Sequence, residues 1–149
     1  MIKAIKNEID KGNIVSIGVF LAAGNESTNT GMIGSTKIVN GRAVFTDAKK
    51  DNIADYNTWC LSKWLAEYIK KNKDNGNFVG SHQMIIIGYM DDIRDKNNGV
   101  FILRNSWGAN CGDNGNNYIT YDYTYTLTDE VLSISAGPNK NIKGEKNFL

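Results

Sequence analysis

"VGSHQMIIIGYMDD", residues 79–92, holds the only histidine of the chain, just ahead of four consecutive apolar residues that lead into Gly88-Tyr89. The run has the length of a strand, and its lack of alternation predicts a strand covered on both faces. A histidine at the mouth of such a strand either satisfies local hydrogen bonds or is aimed into a cleft, where it needs partners.

Downstream, Val100 to Arg104 reads as a second strand, joined to Gln83–Tyr89 by the charged turn Asp91 to Gly99. Then comes "RNSWGANCGDNG", residues 104–115, with an asparagine, a tryptophan and glycines every three or four positions. Taken alone it is a glycine-rich turn in which Trp107 is core and Asn105 a cap. Tyr118 to Tyr125 alternates tyrosine with polar residues, the pattern of a half-exposed strand, and from Ala136 the chain is a polar tail with no apolar face.

Upstream, Tyr56 to Lys71 sets Leu61, Trp64, Leu65 and Tyr68 on one helical face, with Asp55 or Asn57 as N-cap. "TKIVNGRAVF" places Asn40-Gly41 between two apolar runs, which predicts a hairpin with a type I′ turn. Residues 22–34 read as loop. Ile14 to Leu21 is a β-branched run predicting a buried strand. Ile2, Ile5 and Ile9 share one helical face, with Gly12 placed to stop that helix. These elements predict an α+β fold: strands for the most part, an N-terminal helix, and a hairpin and helix in the middle.

At 149 residues the chain suits one domain. A formal charge of +1, from 17 basic and 16 acidic residues mixed along the chain, argues against nucleic acid or an anionic membrane as partner. No apolar stretch approaches the ~20 residues that span a bilayer, and the start is amphipathic rather than a signal peptide. One histidine with two distant cysteines offers no metal cluster, and no cofactor is expected.

The order of features narrows the reading. Histidine, apolar strand closing in Gly-Tyr, acidic turn, second strand and Asn-Ser-Trp-Gly closely resemble the C-terminal, barrel-containing half of the papain-like cysteine peptidases. The resemblance is residue for residue at His82, Gly88, Tyr89, Asn105, Ser106, Trp107 and Gly108, and "IKAIKNEIDKGNIVSIGVF" is similar to the helix and strand that lead into that half. It implies an antiparallel barrel-type half over residues 1–135, with residues 22–79 largely an insertion and 136–149 a tail. It also implies that His82 is catalytic base and acid, that Asn105 orients it, and that Trp107 covers their bond, supported by Ser106 and Gly108. The chemistry suits these residue types. A thiol attacks a peptide carbonyl as thiolate, an imidazole takes and returns the proton, and an amide oxygen fixes the imidazole tautomer.

The pattern breaks at the nucleophile. In that family the cysteine lies upstream, followed by tryptophan at a helix start, with a glutamine before it; nothing ahead of His82 matches. Cys111 stands where a second tryptophan is usual and reads as a smaller core residue. Cys60, near the predicted helix start, keeps the order Cys, His, Asn, but the reversed Trp59-Cys60 pair and the missing glutamine make it the weaker choice of nucleophile. The expectation is therefore a peptidase chain that supplies His82 and Asn105, inactive alone. Its partners are a peptide or protein substrate and the missing N-terminal half, in cis or in trans. The alternatives are an inactive papain-fold module that binds protein or peptide, or an acyltransferase on the same fold.

Overall fold

A computed structural model of the chain describes residues 1–22, 34–47, 57–61, 78–92 and 98–135. In chain order they form α1 (Ile2–Asp10), β1 (Ile14–Ala22), β2 (Gly34–Val39), β3 (Arg42–Asp47), β4 (Thr58–Trp59), β5 (Phe78–Asp91), β6 (Gly99–Arg104), β7 (Asn116–Thr120), α2 (Tyr121–Leu127) and β8 (Thr128–Ile134). One sheet takes up all these strands in the order β3-β2-β4-β7-β6-β5-β1-β8. Among them only the β4–β7 pair is parallel. The fold is α+β with a mostly antiparallel sheet, and β3 also comes against β5, so the sheet curls.

The core follows from the pleat. Along a strand, alternate side chains share a face, and the register aligns Val15, Ile17 and Val19 of β1 with Ile86, Met84 and His82 of β5. Leu103 of β6 lies beside Ile86, and Asn117 and Ile119 of β7 lie beside Leu103 and Phe101. Every apolar residue in these rows is buried. Helix α1 lays Ile5 into this layer, with Ile2 and Ile9 packed at its margin. The helix ends as expected at Gly12, whose φ of +79° suits glycine. Gly12 N–H donates to the Ile9 carbonyl at 2.8 Å and Asn13 N–H to that of Glu8 at 3.0 Å, the paired bonds of a Schellman stop. The hairpin also forms as expected, with Asn40 at φ +52° and Gly41 at φ +73° as a type I′ turn.

Five expectations are corrected. Strand β5 is buried on one face only: Met84 and Ile86 point inward, while Ile85 and Ile87 are 44% and 48% exposed, because nothing described covers the other side of β5. Strand β1, expected to be buried, is buried at Val15, Ile17, Gly18 and Val19 but leaves Ile14 at its start in water. His82 lies inside β5, which begins at Phe78, rather than at its mouth. Thr58 and Trp59 form strand β4, not the first turn of a helix, and Asn57 does not cap one. Its amide clasps Thr36 instead, accepting from Thr36 N–H at 2.8 Å and donating to the Thr36 carbonyl at 2.9 Å. Cys60 and Leu61 are in neither helix nor strand, and residues 62–71 of that predicted helix lie outside the described residues, as does the C-terminal tail.

The fifth correction concerns Tyr118–Tyr125. The strand stops at Thr120 and the chain turns into α2, which buries Tyr121, Tyr123, Thr124 and Leu127. A helix wins because it turns those side chains inward together, and Tyr123 can then donate from its hydroxyl to the Phe20 carbonyl at 2.9 Å. Strand β8, which nothing in the pattern announced, follows directly and pairs with the outer side of β1. Glu8 ties it to α1: its carboxylate accepts from Ser133 Oγ, Asn13 Nδ2 and Lys11 Nζ, each at 2.7 Å. From the same helix, Lys6 pairs with Asp91 at the end of β5, which also accepts from the Tyr121 hydroxyl at 2.7 Å.

Candidate functional site

Strand β6 ends at Arg104, opposite Ile85, whereas β5 runs on past that point to Phe78. The chain after Arg104 therefore leaves the ladder and lies over the stretch of β5 that β6 no longer covers. Continuing the register sets Asn105 level with Met84 and Trp107 level with His82. All three polar side chains of the site sit at the ends of core-facing rows: His82 after Ile86 and Met84, Asn105 after Phe101 and Leu103, Asn117 after Ile119. The site is the polar margin of the hydrophobic core, held by the same pleat that packs it.

His82 Nε2 and Asn105 Oδ1 are 2.9 Å apart. Asn105 is buried, and its amide is bonded on both sides: Oδ1 also accepts from Ser106 N–H at 2.8 Å, and Nδ2 donates to Asn117 Oδ1 at 3.1 Å. With Oδ1 turned to the imidazole, Nε2 is the donor and carries the proton, which leaves the lone pair on Nδ1. The Trp107 ring stacks on the imidazole at 5.0 Å between centroids and 14° between planes. It also neighbours Trp59, at 6.1 Å and tilted by 59°. One side of the His82–Asn105 bond is thus roofed by an aromatic face, where a hydrogen bond is stronger than in open water.

The turn that delivers Asn105 depends on glycine. Gly108, Gly112 and Gly115 have φ of +92°, +64° and +84°. At Gly112 a Cβ would lie 2.3 Å from the Asn116 carbonyl oxygen and 2.6 Å from Asn117 Nδ2, so the chain packs there at a distance only glycine permits. Asn105 N–H donates to the Gly115 carbonyl at 3.3 Å and Gly115 N–H to that of Cys111 at 2.9 Å. Tyr118 ties the turn to β7 by donating from its hydroxyl to Asp113 at 2.7 Å. Burial first, and the Asp113 carboxylate second, push the Tyr118 phenol above its ordinary range.

The structure brings together His82, Asn105, Ser106 and Trp107, with Gly108 in the turn that follows. It does not bring Cys60 into that group by register. Thr58 and Trp59 pair with Tyr118 and Ile119, so Cys60 continues to the level of Thr120. That is three positions, about 10 Å, along β7 from Asn117. Cys60 is buried and Cys111 half-buried in the turn, outside the apolar core, which corrects the reading of Cys111 as a core residue. Neither is disulfide-bonded. Asn117 and Trp59 escaped sequence reasoning. The available signal for Asn117 was an amide in the period-two row with Ile119 and Tyr121.

Among the described residues no group of three or more histidine, cysteine or carboxylate side chains could hold a metal ion, and no helix is long and apolar enough to cross a membrane. No protein-family model matches the chain, and no curated protein matches it.

Proposed function

We propose that this chain is the barrel-containing half of a papain-like cysteine peptidase and supplies the base of its Cys-His-Asn site. The observation that carries the reading is the 2.9 Å bond from His82 Nε2 to Asn105 Oδ1 beneath Trp107. In such a site, Nδ1 of His82 takes the thiol proton, the thiolate attacks the peptide carbonyl, and the imidazolium returns the proton to the leaving amine. Water then releases the acyl group by the same route in reverse. Asn105 holds the ring in the tautomer that leaves Nδ1 basic and stabilises the cation that forms. The thiol comes from the N-terminal half of the domain, in cis or in trans; the register that carries Cys60 away from Asn117 argues against Cys60.

The test is thiol-dependent hydrolysis of fluorogenic peptides by the protein isolated from its natural source. His82→Ala is expected to lower kcat/KM by ~10³-fold or more. The 149-residue chain alone should be inactive and should leave Cys60 unlabelled by a thiol-directed epoxide. Hydrolysis indifferent to His82→Ala overturns the reading, as does selective labelling of Cys60. Transfer of the acyl group to an added amine in preference to water identifies an acyltransferase.

A second reading, an inactive papain-fold module that binds protein or peptide, is favoured by one observation. Trp107, stacked on His82, is still 40% exposed, and aromatic faces of that kind are frequent anchors for a bound chain. Peptide binding that is lost in Trp107→Ala, without turnover in any assembly, distinguishes it.

A further inference from the structure

Asn117 is fully buried on β7, beside Leu103 and in the same row as Ile119. An amide at such a position forgoes apolar burial and requires its polar atoms to be paired. Its Oδ1 accepts from Asn105 Nδ2 at 3.1 Å, and the consequence for Asn105 is directional. A half-turn of the Asn105 amide would set two acceptor oxygens face to face at Asn117. It would also turn the Asn105 NH2 toward two further donors, His82 Nε2–H and Ser106 N–H.

We infer that Asn117 is a positioning residue: its Oδ1 holds the Asn105 amide in the one orientation that accepts the Nε2 proton of His82, and so keeps Nδ1 as the basic nitrogen. The inference deepens the peptidase reading and rests on it for its chemical purpose. Asn117 is itself held, since Gly112 packs so closely over its Nδ2 that even a Cβ would collide. The bonds run in one direction, His82 donating to Asn105 and Asn105 to Asn117. A proton gained at Nδ1 therefore strengthens both, because each bond polarises the next.

His82 is the only histidine, so the ring signals of the ¹⁵N-labelled 149-residue chain need no assignment. At about pH 8, where an ordinary imidazole is neutral, the wild-type ring is expected to be the Nε2–H tautomer with a slowly exchanging proton. Asn117→Leu keeps the volume and removes the acceptor; Nε2–H exchange should quicken about tenfold, the scale of one lost hydrogen bond. Asn117→Asp keeps the acceptor and should restore protection.

A residue that merely supports the fold predicts the reverse order, because a buried carboxylate harms packing more than leucine does. If Asn117→Leu does not fold, Asn117→Asp decides: a protected Nε2–H supports the inference and an Nδ1–H tautomer overturns it. A wild-type ring in the Nδ1–H form overturns it outright. In the active peptidase, Asn117→Leu should lower kcat and leave KM unchanged. An active peptidase whose ring signals ignore Asn117 sinks the inference and spares the peptidase reading. Ring protection that follows Asn117, in a protein without turnover, does the opposite.

Discussion

Removing the Asn105 amide takes a hydrogen-bond partner from three groups at once: His82 Nε2–H, Ser106 N–H and Asn117 Oδ1. Water can reach the half-buried imidazole but not the fully buried Asn117, so Asn105→Ala is expected to cost ~2–3 kcal/mol in urea unfolding. A loss below ~0.5 kcal/mol would mean that solvent fills the gap and the network is not tight. The glycines of the turn make a graded comparison. A Cβ at Gly108 would meet no atom within 4 Å, so Gly108→Ala carries the backbone penalty of its positive φ alone, whereas Gly112→Ala adds overlap with the Asn116 carbonyl. Thermal melts should therefore rank Gly112→Ala well below Gly108→Ala. At this scale His82, Asn105 and Trp107 were legible because residue type and order point to one chemistry. Asn117 was not, since no spacing rule links positions 105 and 117; the link is the β6–β7 register set by the turn between them.

For the elements, legibility followed periodicity. Helix α1 and the Asn40-Gly41 hairpin carry both a pattern and a stop signal, and both formed. The run from Met84 to Ile87 carries neither polar alternation nor a marker of which face is covered, so a one-sided strand looked two-sided. Substitution separates the faces: Ile86→Ala should cost ~2–4 kcal/mol, and Ile85→Thr on the outer face less than ~0.5 kcal/mol. Equal losses at the two positions would mean that the outer face of β5 is covered after all. Strand β4 and helix α2 were misread for a common reason. Two residues are too few to show a period, and alternate tyrosines fit a strand until tertiary contacts, here to Phe20 and Asp91, favour the helix. Strand β8 was hidden by Asp129-Glu130, whose charges face solvent on the edge of the sheet, a common way of discouraging further pairing.

Across the whole molecule, pH should loosen the fold from both sides. Hydrogen bonds from Lys11, then Ser133 and Asn13, lower the Glu8 carboxyl to about 2. A depressed acid stabilises the fold above its unfolded value, ~4.3, and that contribution is lost as pH falls toward about 2. Glu8→Gln should accordingly lower the unfolding midpoint near neutrality and converge with wild type in strong acid. Burial chiefly, with Asp113 and Asp91 adding to it, raises the Tyr118 and Tyr121 phenols. Their contribution is complete below the ordinary phenol value of ~10 and declines above it, because the unfolded chain ionises first. Alkaline unfolding curves of Tyr121→Phe should be flatter than those of wild type. The placement of the site within one continuous stretch, residues 82–117, has a consequence for how the protein comes to be folded. Strands β5, β6 and β7 are consecutive neighbours, so the histidine and both asparagines meet through short loops with little closure entropy. Strand β8, by contrast, must find β1 across nearly the entire chain. We expect Leu103→Ala to slow refolding and Leu132→Ala chiefly to hasten unfolding, so that the ring and its amides are assembled before the two ends of the chain have met.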